Sequence, residues 1–371
     1  MSGDGRPGGA LPDDADLIID DPAEASPRWV TTVLRRADLD IEVTAVRSEP
    51  IGTGQLSANY RIHLDLDGAD AARAPATLVL KLPAGSDQAR AQIAAGYRSE
   101  IGFYTRFAAS TTINVPRCWG AAISADARAF TLVLADAHPA RAGRQVDGCA
   151  PAQADTAVRN LAALHAPFWG LADLGDGVDW LRRTDEVGLG FMAEVLAAST
   201  APFVERYAGR LPAEDADTLR RVAEVSDRWG RHVSGRHSLI HGDYRLDNLL
   251  FEGSSAVIAV DWQSLEIGFP GRDLAYFLST ALAPARRRAH ERDLIRAYHQ
   301  RLTELGVTGY PLEDCFHDYR LGMLQGPLLT VLGALYATHE RTESADRMFL
   351  SMAANSCAAI RELGTLELLA A

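Results

Sequence analysis

The sequence predicts an α+β chain of two lobes, a small antiparallel-sheet lobe followed by a larger, mostly helical one. Apolar and polar residues alternate in short runs as far as residue 136, a spacing that is typical of strands. Beyond residue 139 helical spacing dominates, and no alternating strand is expected before residue 238. We therefore expect a first lobe with one long helix at residues 28–136 and a helical lobe at residues 137–371.

The first 27 residues differ in composition from the rest of the chain. They contain seven acids and one base, so that half of the net charge of −12 belongs to this segment. The segment predicts a disordered acidic tail at residues 1–27, and it lacks the basic start and apolar centre of a signal peptide. The remaining mild charge offers no basic face for a nucleic acid.

Cysteine usage and hydropathy predict the compartment. The four cysteines are scattered without a CxxC spacing, which favours buried thiols in a reducing cytoplasm over disulfides or a zinc site. No apolar run approaches the roughly 20 residues that a bilayer-spanning helix needs. We expect a cytoplasmic protein without membrane insertion and without an obligate protein partner.

The first lobe is predicted to contain five strands, at residues 41–46, 60–66, 77–82, 115–123 and 129–134. Between the first two lies a turn-rich loop that contains Gly52, Gly54 and Ser57. Glycines at such positions let backbone N–H groups approach phosphates. Taken alone, the loop is explained equally well as a plain hairpin connection.

Lys81 is the single lysine among 37 basic residues. Arginine replaces lysine easily on a surface, but not where a compact ammonium must fit between a carboxylate and phosphate oxygens. A helical pattern at residues 87–109 places Glu100 beside its apolar stripe. We expect a functional Lys81–Glu100 pair; the alternatives are a surface salt bridge or a lysine on an edge strand.

The second lobe is predicted to be helical around one hairpin. Helices are expected at residues 156–169, 186–210, 213–234, 286–305, 312–338 and 345–369. His165 is interpreted as a satisfied core histidine under the loop at residues 241–248, with a catalytic role as the alternative. Asp273 follows Gly-Phe-Pro-Gly-Arg and is interpreted as a helix N-cap.

Two short apolar runs around Glu252-Gly-Ser-Ser255 predict a β-hairpin over residues 249–260. If its turn centres on Ser254 and Ser255, Asn248 lies opposite Asp261. Amide and carboxylate oxygens suit Mg²⁺, and the nearby carboxylate of Asp243 could take a proton from a hydroxyl. The alternative is a chance hairpin in which Asp and Asn merely favour turns.

The series His241-Gly242-Asp243, Asn248 and Asp261-Trp262 resembles the catalytic loop and metal-binding Asp of the protein-kinase-like fold. The residues of this motif are similar to those of the small-molecule branch of the fold, which includes aminoglycoside phosphotransferases, choline kinases and ecdysteroid-kinase-like proteins. The resemblance spans roughly residues 41–280. The resemblance also implies that Asp273 braces the loop at residues 241–248. Only twelve residues separate Asp261 from Asp273, too few for a protein-kinase activation segment.

This resemblance implies transfer of the γ-phosphate of ATP or GTP to a hydroxyl of a small molecule. Asp243 would be the catalytic base, and Asn248 and Asp261 would bind Mg²⁺. The remaining residues would bind the nucleotide: Lys81 and Glu100 at the α- and β-phosphates, the loop of Gly52, Gly54 and Ser57 over the phosphates, and the hinge backbone of Ala135 and Ala137 at adenine.

The acceptor is left open by the sequence. A natural-product, steroid-like or antibiotic alcohol is favoured, because residues 305–371 contain eight acids and four arginines and are only mildly acidic. An aminoglycoside, the alternative, would need a strongly acidic pocket. A catalytically silent nucleotide-binding scaffold is the further alternative. It predicts loss of Lys81, Asp243, Asn248 or Asp261, and all four are present.

Overall fold

A computed structural model describes residues 11–52, 57–233, 235–336 and 341–370. An antiparallel sheet with two helices forms the first lobe, and a helical body with short strands forms the second. The predicted two-lobed α+β fold is confirmed.

The first lobe is built on a central strand that carries Lys81. Its elements are α1 (Pro27–Arg36), β1 (Glu42–Ile51), β2 (Ser57–Asp67), β3 (Thr77–Pro83), α2 (Asp87–Gly102), β4 (Cys118–Ile123) and β5 (Phe130–Ala135). In the described part of the chain, these strands form a five-stranded antiparallel sheet in the order β1-β2-β3-β5-β4. Lys81 lies opposite Asn59 on one side and Leu132 on the other. The edge-strand interpretation is therefore wrong.

Residues 11–27 do not form the disordered tail that their acidic composition predicts. Leu17 and Ile19 are buried in the cluster between α1 and the sheet. The backbone N–H of Ile19 donates to the hydroxyl of Thr131 at 2.9 Å, and Asp20 accepts from Arg90 of α2 at 2.6 Å. Apolar residues between the acids supply the anchors, so this segment belongs to the first lobe.

The second lobe surrounds the hairpin with helices. They are α3 (Pro151–His165), α4 (Glu186–Arg206), α5 (Ala213–Val233), α6 (Gly271–Ala281), α7 (Pro284–Glu304), α8 (Leu312–Leu321), α9 (Gln325–Tyr336), α10 (Glu343–Leu363) and α11 (Thr365–Ala370). The strands are β6 (Arg141–Ala142), β7 (Arg182–Arg183), β8 (Ser238–Ile240), β9 (Leu249–Glu252), β10 (Ala256–Ala259) and β11 (Glu266–Gly268). β6 and β7 contradict the expectation of no strand before residue 238; two residues are too few to show alternation.

α4 differs from what hydropathy along the sequence predicts. It has 21 residues and a mean hydropathy of 1.5 in its most apolar stretch, and by length and composition it could cross a membrane. A third of that stretch is buried, while Val187 and Phe191 are exposed. Core helices pass the same test, so the expectation of no membrane insertion stays a prediction.

Candidate active site

Lys81 and Glu100 meet where the sheet faces α2. The Lys81 ammonium lies 2.6 Å from a Glu100 carboxylate oxygen, and both side chains are less than a tenth exposed. Ser86 caps the start of α2, accepting from Ala89 N–H at 3.3 Å. Gly96 lets the helix approach Gln263, whose Cβ would lie 3.2 Å from an added Cβ. Gln263 in turn donates to Glu100 at 3.3 Å.

Asp261 completes a three-charge cluster with this pair. Its carboxylate lies 3.4 Å from the Lys81 ammonium, and its side chain is 42% exposed. Burial lowers the pKa of Lys81, but the charges of Asp261 and Glu100 outweigh burial and raise it. Partial burial raises the pKa of Asp261, but Lys81 and His241 lower it more, so its net shift is downward. Lys81 and Asp261 are therefore ionised at neutral pH.

The loop at residues 241–248 is held from below by α6. Asp273 accepts from the backbone N–H of His241 at 2.7 Å and of Gly242 at 3.0 Å. Gly242 has φ +80°, and a Cβ there would lie 2.3 Å from the carbonyl oxygen of Ser264. Glycine is thus required both by the left-handed backbone and by the close approach.

Asp243 and Asn248 face each other across this loop. The side-chain nitrogen of Asn248 donates to the carbonyl oxygen and to the Oδ2 of Asp243, both at 2.9 Å. Because the nitrogen is engaged, the side-chain oxygen of Asn248 is the atom available to a cation.

The hairpin register differs from the prediction by one residue. Ala259 pairs with Leu249, so Val260 rather than Asp261 lies opposite Asn248, and its N–H donates to the Asn248 carbonyl at 3.0 Å. Gly253 takes φ +63°, which makes a three-residue turn centred on Ser254. Asp261 follows with φ +67°, and its side chain contacts Lys81.

The predicted phosphate loop is described only in part. Gly52 ends the described part of the loop at φ +69°, with open space where a Cβ would be. Ser57 begins β2 and is buried, whereas Gly54 lies outside the described residues. A phosphate role for these three residues stays a prediction.

The predicted hinge residues have backbone partners. The N–H of Ala135 donates to the carbonyl of Arg117 at 2.8 Å, and the carbonyl of Ala137 accepts from Ala140 at 2.9 Å. The side chain of Asp136 accepts from Arg61 at 2.6 Å and is therefore engaged within the lobe. Adenine binding by Ala135 and Ala137 stays a prediction.

Asp273 and His165 lie beneath the loop at residues 241–248. Pro270 is the N-cap of α6 and Asp273 is its third residue, so the N-cap interpretation is wrong, whereas the brace is present. His165 is fully buried and contacts Tyr298 at 2.7 Å and Asp273 at 3.3 Å. This is the geometry of a satisfied core histidine.

Two side chains that contact Asp243 were not expected from the sequence. Arg245 donates through Nε to Asp243 at 3.3 Å and through a second nitrogen to Asp247 at 2.8 Å. Tyr276, on α6, donates to Asp243 at 3.0 Å. Arg245 lies within the recognised loop and could have been found there, but Tyr276 is 33 residues away and has no such signal.

Several solved structures share this fold. A choline kinase from Cryptosporidium parvum has a TM-score of 0.52 at 10% identity, over 88% of this chain and 92% of that one. A candidate aminoglycoside phosphotransferase from Ralstonia eutropha JMP134 has a TM-score of 0.51 at 17% identity, over 92% and 98% of the two chains. At these identities the likeness establishes the fold.

A curated relative matches a short part of the chain. Acyl-CoA dehydrogenase family member 10 of Mus musculus is 36% identical over 91 residues, which are 24% of this chain. The match spans only 8% of the length of that protein, so nothing of its activity is carried over.

A family model covers most of the chain. The model of the phosphotransferase enzyme family matches residues 48–310, which contain Lys81, Glu100, Asp243, Asn248 and Asp261. This match confirms the resemblance to small-molecule phosphotransferases that the loop and its spacing indicated. The chain belongs to the phosphotransferase enzyme family.

Proposed function

We propose that this phosphotransferase moves the γ-phosphate of ATP, with Mg²⁺, to a hydroxyl of a bulky and weakly charged small molecule. One observation carries the proposal. Residues up to 180 positions apart meet, because Lys81 bonds to Glu100 and Asp261. Asp243 bonds to Asn248, and the carbonyl of Asn248 accepts from the backbone N–H of the residue before Asp261. A hairpin without a function gives no reason for the single lysine of the sequence to contact Asp261, which follows the hairpin.

The donor set fits Mg²⁺. Asn248 has an available amide oxygen, Asp261 has an ionised and partly exposed carboxylate, and the described residues contain no larger cluster of His, Cys, Asp or Glu. Mg²⁺ prefers few protein ligands and takes the others from phosphates and water. When bound by Asn248 and Asp261, it would neutralise charge that develops on the phosphates.

The protein side chains have separable roles in this proposal. Lys81, held by Glu100, orients phosphate oxygens of the nucleotide. Asp243 orients the acceptor hydroxyl and takes its proton. Positioning and electrostatics supply most of the acceleration, because phosphoryl transfer needs little covalent help from the protein.

The surroundings of Asp243 favour a weakly charged acceptor over an aminoglycoside. Arg245 lies between Asp243 and Asp247 and offsets one of their two negative charges, and it also contacts the sulfur of Met348 at 3.2 Å. A polycationic acceptor would meet this guanidinium beside the reacting carboxylate. GTP in place of ATP is the alternative donor, and the two are compared directly in the test.

The test measures Mg²⁺-dependent consumption of ATP and of GTP with a panel of macrolides, sterols, choline-like alcohols and aminoglycosides. The phosphorylated product is identified by mass, and Asp243→Ala is the blank. We expect transfer to an uncharged alcohol that is lost in the variant.

Other results would count against parts of the proposal. Transfer only to aminoglycosides would replace the proposed acceptor class. Turnover that is unchanged in Asp243→Ala would remove Asp243 from its role. Failure to bind either nucleotide with Mg²⁺ would overturn the proposal and the silent nucleotide-binding scaffold together.

A further inference from the structure

α6 holds the catalytic loop at two points that are one helical turn apart. Asp273 accepts from the backbone of His241 and Gly242, and Tyr276 donates to the side chain of Asp243 at 3.0 Å. Residues three apart lie on the same face of a helix. One rigid element therefore fixes both the backbone of the loop and the side chain at its centre.

The two carboxylate oxygens of Asp243 are not equivalent. Oδ2 accepts from Asn248 at 2.9 Å and from Arg245 at 3.3 Å, whereas Oδ1 accepts from Tyr276. A carboxylate oxygen has two lone-pair sites. Two donors fill Oδ2, so Oδ1 is the oxygen with a site left for an acceptor hydroxyl.

The hydroxyl of Tyr276 is suited to donate permanently. Tyr276 is 1% exposed, and burial, followed by the charge of Asp243, raises its pKa well above the usual value. The charged groups around it are Asp243, Arg245 and Asp247. The phenol therefore keeps its proton across the working range of pH and is not itself a base.

We propose that Tyr276 is a positioning residue that sets the direction of the free lone pair on Oδ1 of Asp243. Oδ1 is then the atom that takes the proton of the acceptor hydroxyl. This inference rests on the proposed function. Misdirection of a base by about 1 Å can cost roughly 10²-fold in rate, and loss of a hydrogen bond that orients a metal ligand costs about 10- to 100-fold.

The experiment compares Tyr276→Phe with wild type in Mg·ATP turnover, first with water as acceptor and then with the best alcohol of the panel. We expect kcat to fall about 10- to 100-fold, with KM for ATP unchanged. Tyr319→Phe is the matched control, since its buried hydroxyl contacts Glu291 at 3.1 Å and lies on α8. It should keep the wild-type kcat.

The outcomes separate the inference from the proposed function. Wild-type turnover that is lost in Asp243→Ala but kept in Tyr276→Phe overturns the inference alone. Absence of any wild-type turnover overturns both. A raised KM for ATP with an unchanged kcat also overturns the inference, because a merely structural change in the lobe would produce it.

A spectroscopic measurement covers the case in which Tyr276→Phe does not fold. Tyrosine labelled with ¹³C at Cζ gives ten signals in wild type, one for each tyrosine. We expect the signal of one buried tyrosine to move in Asp243→Ala, since its phenol loses its acceptor. Unchanged signals would show that the Tyr276–Asp243 bond is absent in solution and would overturn the inference.

Discussion

Lys81 occupies a place that is too narrow for arginine, which is the basic residue at every other basic position of this chain. Its ammonium lies between Glu100 and Asp261, and its side chain is 8% exposed. A planar guanidinium cannot take the position of a compact ammonium there. We expect Lys81→Arg to lower kcat/KM for ATP by about 10²- to 10³-fold.

Steady-state kinetics with varied ATP measure this effect. Arg128→Lys is the control, because Arg128 is half-exposed and pairs with Asp87 at the surface. If Lys81→Arg keeps the wild-type kcat/KM, the survival of this lysine has no functional meaning.

Gly242 has a left-handed backbone and also a close contact with Ser264. The effects of these two features on the free energy of unfolding of an alanine variant can be measured separately. Gly209 has nearly the same φ, +81° against +80°, but open space at its Cβ position. Gly209→Ala should lower the free energy of unfolding by about 1–2 kcal/mol through backbone strain alone. Gly242→Ala should lower it by a further 1–3 kcal/mol or so, since its Cβ would meet the Ser264 carbonyl.

Urea denaturation of both variants measures the difference. Equal losses would mean that the loop relaxes around the new methyl group and that the approach of Ser264 is not rigid.

Individual site residues were predictable where one local pattern contains them. Asp243 and Asn248 share an eight-residue loop with His241, and Lys81 is conspicuous by composition. Tyr276 was not predictable, because its contact with Asp243 depends on how α6 packs under the loop.

At the scale of elements, α6 contributes to stability through a buried carboxylate. Burial raises the pKa of Asp273, but His165 and His241 lower it more, so its folded pKa lies below the ordinary 3.8. The resulting stabilisation is complete above about pH 3.8, falls as the pH drops below that value, and is gone below the folded pKa.

We therefore expect the wild type to lose stability more steeply than Asp273→Asn as the pH falls below about 4. At pH 7 the variant should be less stable by about 1–3 kcal/mol, because an amide has one acceptor oxygen for two backbone donors. Thermal unfolding across this pH series checks both. Parallel curves would show that Asp273 does not carry the acid sensitivity.

The sequence of the hairpin predicted its strands but not their register. Two apolar runs located β9 and β10, but the register depended on whether the turn held two or three residues. Gly253 adopted φ +63° and made the longer turn. Because the register is shifted by one residue, Asp261 lies outside the paired residues of β9 and β10. Its backbone has a positive φ, and its side chain contacts Lys81.

At the scale of the whole molecule, residues 11–27 tie the first lobe together. Leu17 and Ile19 are buried, and Asp20 bonds Arg90 on the helix that carries Glu100. Deleting residues 1–26 should lower the free energy of unfolding by about 3–6 kcal/mol, from two large apolar side chains lost to the core. Deleting residues 1–10 removes none of these contacts and serves as the control.

Urea denaturation and ATP titration of both deletions measure this contribution. An unchanged midpoint after removal of residues 1–26 would mean that, in solution, the segment is not packed against the first lobe. Composition indicated disorder because acids dominate the segment, whereas its packing depends on two buried apolar residues, Leu17 and Ile19.

The single lysine gives the molecule an unusual chemical property. Amine-directed reagents have one side-chain target in the whole chain, and it lies against Glu100. If a nucleotide binds there as proposed, the acyl group of a nucleotide acyl phosphate would pass to this amine, with loss of the ammonium proton and release of the nucleotide phosphate. The molecule would then carry one such label on a side chain. A single mass increment, suppressed by competing ATP, would report nucleotide binding beside Lys81 in a cell extract without any knowledge of the acceptor.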